Sequence, residues 1–146
     1  MRDKKIEFIP RLYDYVEKGG TQESARQLGV DEHAVVKTLV FETNEKKPLI
    51  VLMHGDREVS AKTLARLLGV KSVEPVAPEK ASKLTGYVVG GTSPFGTRNT
   101  LPVYVERNIL SLEKIYINGG KRGFLVEIEP KALTAHLNAE SVEVGI

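Results

Sequence analysis

Apolar positions recur along this chain in two different periods. Ala61, Leu64, Ala65 and Leu68 fall at i, i+3, i+4 and i+7, one face of a helix that Ser60 opens and Gly69 closes. Thr21 to Leu28 predicts a shorter helix, with Thr21 as its cap and Gly29 as its stop. Asp31 caps one further turn through Ala34. Pro78 to Leu84 and Pro130 to Leu137 predict two more helices, each with proline at its start. β-branched and aromatic runs predict strands at Val35–Phe41, Leu49–His54, Tyr87–Val89, Leu101–Val105, Ile115–Ile117 and Phe124–Ile128. Val70 to Val76 reads as a short extended piece held to an edge by Pro75, and Ser141 to Val144 as a candidate last strand. Asn118-Gly119-Gly120 predicts the turn of a hairpin. Six or seven short strands and four or five short helices, without strict alternation, predict an α+β fold built on a mixed sheet or partly closed barrel.

Composition adjusts this picture only a little. The 146 residues suit one domain spanning 1–146, with 41% hydrophobic and 27% charged residues, which is ordinary for a globular chain. No apolar run is long enough to span a bilayer and Met1–Pro10 lacks a signal-type apolar region, so a soluble cytoplasmic protein with no membrane partner is expected. The absence of cysteine excludes a thiolate nucleophile, a disulfide scaffold and cysteine-bound zinc. His33, His54 and His136 have no metal-ligand spacing, so neither a metal nor another cofactor is expected. The net charge of +2 does not by itself mark a nucleic-acid binder. Between Thr97 and Gly123, however, five cations face two anions, which permits a local basic patch.

Three places carry candidate chemistry. Lys37 interrupts the apolar run Val35–Phe41, so a strand covered on both faces holds an ammonium at or near the core. Such a lysine either reaches water along its stem or sits in a pocket, where it binds a phosphate or carbonyl oxygen or titrates as a base. Gly90-Gly91-Thr92-Ser93-Pro94-Phe95-Gly96 allows close approach of a ligand to backbone N–H groups. It is neither a Walker A loop nor a dinucleotide fingerprint, and Ser93 lacks a nucleophile-elbow setting. Lys121 and Arg122 present two cations on a glycine-rich hairpin, suited either to water or to an RNA backbone. His54 and Asp56 form a candidate acid–base pair on one loop.

In chain order, Val36-Lys37-Thr38-Leu39-Val40, Gly86-Tyr87-Val88-Val89-Gly90-Gly91-Thr92-Ser93-Pro94-Phe95-Gly96, Leu101-Pro102 and Gly119-Gly120-Lys121-Arg122-Gly123 resemble the YbaK/EbsC family. These are stand-alone relatives of the editing domain inserted in bacterial prolyl-tRNA synthetases. The resemblance spans about Phe8 to Leu137 and implies a barrel-like mixed α+β fold. It also implies trans-editing: removal of a wrong amino acid from the 3′ end of a tRNA. Lys37 matches the family's functional lysine and Gly90 the glycine beside the aminoacyl ester. Thr38 and Tyr13 match pocket residues, with Gly91, Ser93, Lys121 and Arg122 as further substrate contacts. The Lys37-Thr38 pair is closest to the subgroup acting on Cys-tRNA(Pro), in which the substrate's own thiol attacks the ester. Two positions depart from that subgroup: Gly19-Gly20-Thr21 stands where an aromatic residue is common, and Phe124-Leu125 where an acid follows the glycine motif. The expected partners are the acceptor end of tRNA and, as a candidate, prolyl-tRNA synthetase. The alternatives are a deacylase for another small amino acid such as alanine on tRNA(Pro), a non-catalytic tRNA- or synthetase-binding module, and an ordinary serine or metal hydrolase.

Overall fold

The structure is a computed structural model that describes residues 7–17, 19–88 and 90–146. Its organising element is β2 (Val35–Thr43), which pairs antiparallel along its length with β3 (Pro48–His54), from Val36↔His54 to Glu42↔Pro48. Alternate β2 residues then face opposite layers. Val36 and Val40 join Ile50, Leu52, Ile117, Val105 and Phe95 in the larger core, while Phe41 joins Val51, Met53 and Leu64 in the second. Both layers are closed, which is why the run is apolar on both faces.

The remaining strands extend this pair in the order β1-β7-β6-β2-β3-β5-β8. They are β1 (Ile9–Leu12), β4 (Val73–Pro75), β5 (Val103–Glu106), β6 (Ile115–Lys121), β7 (Phe124–Ile128) and β8 (Glu140–Val142), with β4 lying off the main path on β2. The β2–β6, β3–β5 and β5–β8 pairings are parallel and the others antiparallel, so the expected mixed α+β sheet is present. Four helices flank it: α1 (Gly20–Leu28), α2 (Ala61–Leu68), α3 (Pro78–Thr85) and α4 (Lys131–Leu137). In α2 the Ser60 hydroxyl accepts from the Thr63 N–H at 3.2 Å, and Gly69 ends the helix at φ +70°. No helix of the described residues is long and apolar enough to cross a membrane.

Four local expectations are corrected. Thr21 lies inside the first turn of α1 rather than capping it, and its hydroxyl reaches Glu32 Oε2 at 2.7 Å and the Gly55 carbonyl at 3.0 Å. Tyr87 and Val88 are not a strand, and Val89 lies outside the described residues. β1 was not expected, because all four of its residues are exposed and its proline breaks the apolar pattern. The hairpin turn falls at Arg122–Gly123 rather than Asn118–Gly120, since β6 runs through a bulge as far as Lys121.

A buried carboxylate fastens residues 144–145. Glu106 accepts from the Val144 N–H at 2.8 Å and the Gly145 N–H at 3.0 Å. Ile146 exchanges two further hydrogen bonds with Glu58. Glu106→Gln turns an amide donor toward these N–H groups. The variant is expected to lose about 2 kcal/mol of stability, measured by urea unfolding at pH 7.

Candidate active site

A break in the sheet lies along one edge of β2. The ladder to β6 ends at Val36↔Ile117, and the ladder to β4 begins at Phe41↔Pro75. Neither covers residues 37–40. Backbone groups alternate sides along a strand. The Val35 carbonyl accepts from Gly55 N–H on the β3 side, whereas the Val40 carbonyl accepts from Val76 N–H on the other. The Thr38 backbone therefore points toward the break. Its hydroxyl is buried and has no hydrogen-bond partner, a condition that calls for a water or a ligand.

Across the break stands Asn118. The parallel register Val35↔Tyr116, Val36↔Ile117 carries Lys37 and Asn118 to the same face at the next step. The Asn118 carboxamide makes three contacts. Nδ2 donates to the Gly90 carbonyl at 3.2 Å and to the Lys121 carbonyl at 3.0 Å, and Oδ1 accepts from Gly120 N–H at 2.6 Å. One side chain thus shapes the β6 bulge and docks the Gly90 loop on it. Only glycine fits at that contact: a Cβ on Gly91 would lie 2.8 Å from the Arg122 nitrogen and the Lys121 carbonyl carbon. Gly90, at φ +88°, lies beside Tyr15 and Arg122, and the Arg122 guanidinium sits 4.8 Å from the Tyr15 ring centre.

Residues 17–135 match the family model of the aminoacyl-tRNA editing domain. The chain belongs to the aminoacyl-tRNA editing domain family. It is 32% identical over 120 residues to a protein of Enterococcus faecalis named as a Cys-tRNA(Pro)/Cys-tRNA(Cys) deacylase, EbsC, covering 82% of this chain and 73% of that one. It is 30% identical over 100 residues to the proline–tRNA ligase of Caldicellulosiruptor bescii, covering 68% of this chain and 17% of the ligase. A solved structure described as a candidate trans-editing enzyme for prolyl-tRNA synthetase superimposes with a TM-score of 0.85 at 24% identity. That match covers 95% of this chain and 87% of the other, and it bears on the fold.

Within the editing domain, the residues named from the sequence fall into two groups. Gly90, Gly91, Lys121 and Arg122 meet at the loop–hairpin contact. Lys37 follows the last β6-paired residue of β2, its stem mostly covered and its Nζ 3.4 Å from Glu58 Oε1. Glu58 is well exposed, so this pair is screened by water. Tyr13 packs with Ala25, Val35 and Leu125, and burial raises its phenol above the usual range. The tyrosine that adjoins Gly90 is Tyr15. Ser93 is buried, and its hydroxyl accepts from Phe95 N–H at 3.1 Å, which shapes the loop. The Gly91 amide donates to the Val88 carbonyl at 2.9 Å. Sequence reasoning missed Asn118, which read as a turn residue, and Tyr15; its spacing of two from Tyr13 was the available signal.

The editing domain also holds a histidine stack. The His33 and His54 rings lie 3.7 Å apart and nearly parallel. His54 Nδ1 donates to the His33 carbonyl at 2.7 Å, and His33 Nδ1 to Asp56 at 2.9 Å. These three side chains offer atoms within 4.8 Å of one another. Parallel rings, however, aim their lone pairs in parallel, whereas tetrahedral zinc needs them to converge. Burial lowers the His54 pKa from 6.5, with the His33 charge acting the same way and Asp56 and Glu106 opposing it. The unfolded chain then binds the proton more tightly than the folded one, so stability falls as pH drops below about 6.5. Urea unfolding at pH 7, 6 and 5 should show this loss, and His54→Gln should flatten the slope above the carboxylate range.

Proposed function

We propose that this protein removes a misattached amino acid from the 3′ end of a tRNA, with Cys-tRNA(Pro) as the leading substrate. The reading is carried by the Asn118 carboxamide, bonded to the Gly90 carbonyl where β6 leaves β2, and by the neighbouring stretch of β2, which holds Lys37 and Thr38 and which no strand covers. Together these elements supply a cation, a fixed carboxamide and a glycine backbone. An aminoacyl ester needs little more from the protein than positioning and charge stabilisation.

In this reading the ester lies over Gly90 and the amino acid enters the break beside Thr38, whose hydroxyl takes its missing partner from the substrate. Lys37 leaves Glu58 to hold the ester or the neighbouring phosphate. The Gly91 amide is already engaged, so the glycine share of oxyanion stabilisation falls to Gly90; a single such donor is worth about 10²–10³ in rate. With a cysteinyl ester, the substrate sulfur bonds the carbonyl carbon and the carbon–oxygen bond to ribose breaks. The thiol proton ends on the ribose oxygen. This route needs no protein nucleophile, which suits a chain without cysteine. Lys121 and Arg122 meet the acceptor end, the protein works in the cytoplasm without a cofactor, and prolyl-tRNA synthetase is the partner that would present the substrate. The relatedness to the Enterococcus deacylase and to a proline–tRNA ligase supports this choice of tRNA.

The test is deacylation of Cys-tRNA(Pro), Ala-tRNA(Pro) and Cys-tRNA(Cys) by the wild type and by Lys37→Ala. The variant is expected to lose about a hundredfold or more in kcat/KM on the preferred substrate. Equal activity of the two proteins on every substrate would remove Lys37 from the mechanism, and a wild type inactive on all three would remove the deacylase reading.

A further inference from the structure

Four of the seven exposed large hydrophobic side chains among the described residues fall in two short segments: Leu12, Tyr15 and Val16 before α1, and Val88 two residues before Gly90. Scattered apolar residues on a surface need no explanation, but a group at the mouth of a site does. Tyr15 is the informative member. The residue is 37% exposed, yet its ring is held in place. The Arg122 guanidinium lies against it, and a Cβ on Gly90 would stand 3.0 Å from its hydroxyl and 3.2 Å from Cε1. The same Cβ would stand 3.4 Å from Arg122 Nε. A guanidinium therefore already lies over an aromatic ring, within one layer of atoms of the glycine that the ester adjoins.

We infer that Tyr15 and Arg122 form a stacking platform for the terminal base of the RNA. The inference rests on the deacylase reading for where the ester lies. An ester carried by the terminal ribose places that nucleotide's base one ribose width from the carbonyl, which is where the platform stands. A base stacks on aromatic or guanidinium planes, and both are present. Lys121, next in sequence to Arg122, is exposed and supplies charge for the adjoining phosphate. A flat aromatic group carrying negative charge beside it is a nucleotide, which suits an exposed ring with cations at its side. Tyr15 and Arg122 are thus substrate-positioning residues: they fix where the ester sits and do not touch the bond that breaks.

The experiment uses a short RNA ending in cytidine, cytidine and 2-aminopurine riboside, whose fluorescence falls when the base stacks. Wild type should bind it with quenching. Tyr15→Ala and Arg122→Ala should each weaken binding about tenfold, the scale of one base–aromatic stack. Tyr15→Phe keeps the ring and should retain the quench. Thermal melts of each variant establish that it is folded, which the exposure of Tyr15 favours. On aminoacyl-tRNA, Tyr15→Ala should raise KM far more than it lowers kcat. A folded Tyr15→Ala with wild-type affinity and quenching overturns the platform. The two readings fail separately. A wild type that quenches the probe but deacylates nothing loses the enzyme reading and keeps the platform. A wild type that deacylates, with KM unchanged in Tyr15→Ala, keeps the enzyme and loses the platform.

Discussion

β2 must be buried on both faces and yet remain uncovered along part of one edge. Its faces are closed by two apolar layers, and β3 covers its other edge from end to end. Backbone groups near a core need partners. At residues 37–40 neither β6 nor β4 ladders with the strand. The fold therefore holds a polar slot inside an otherwise saturated sheet, and everything proposed to act on substrate is arranged around it. Lys37 and Thr38 belong to the slot itself, pointing to opposite faces. Asn118 stands where β6 leaves the ladder, and the Gly90 loop is tied to Asn118.

Charge is organised on the same local scale. The chain's net charge is small, but the cations around the slot have individual settings. Lys37 is held by a water-exposed glutamate, and Arg122 lies on a tyrosine ring. By contrast, Glu42 and Glu127 are buried in the sheet with lysine or arginine beside them, which keeps both carboxyls below the usual range. The pairs at Glu42 and Glu127 are closed within the structure, whereas the Lys37–Glu58 pair faces water.

Much of the fold was legible because it depends on local period. The spacing of Ala61, Leu64, Ala65 and Leu68 predicts α2 to the residue, and Val35–Phe41 predicts all but the end of β2. Lys37 was legible as an anomaly within its strand. What stayed hidden depends on segments distant in sequence. No local pattern shows that β6 stops pairing with β2 after Ile117, so the slot could not be read. Asn118-Gly119-Gly120 has turn composition, but the Asn118 carboxamide takes the Gly120 N–H and the chain bulges instead of reversing. Tyr13 and Tyr15 look equivalent on the page; packing against Ala25 and Leu125 sends the first inward and leaves the second at the rim.

Asn118 precedes a glycine, and that step has a chemistry of its own. In an Asn-Gly sequence the following backbone nitrogen attacks the side-chain carbonyl more easily than in almost any other, expelling ammonia and leaving an acid after hydrolysis. Here the carboxamide is restrained by three hydrogen bonds, which hold it away from the geometry that attack requires. The restraint that docks the Gly90 loop is thus also what delays its chemical ageing. Were the amide lost, a carboxylate would face two carbonyl oxygens with no proton to offer, and the loop and hairpin tip would repel each other at the point that now joins them.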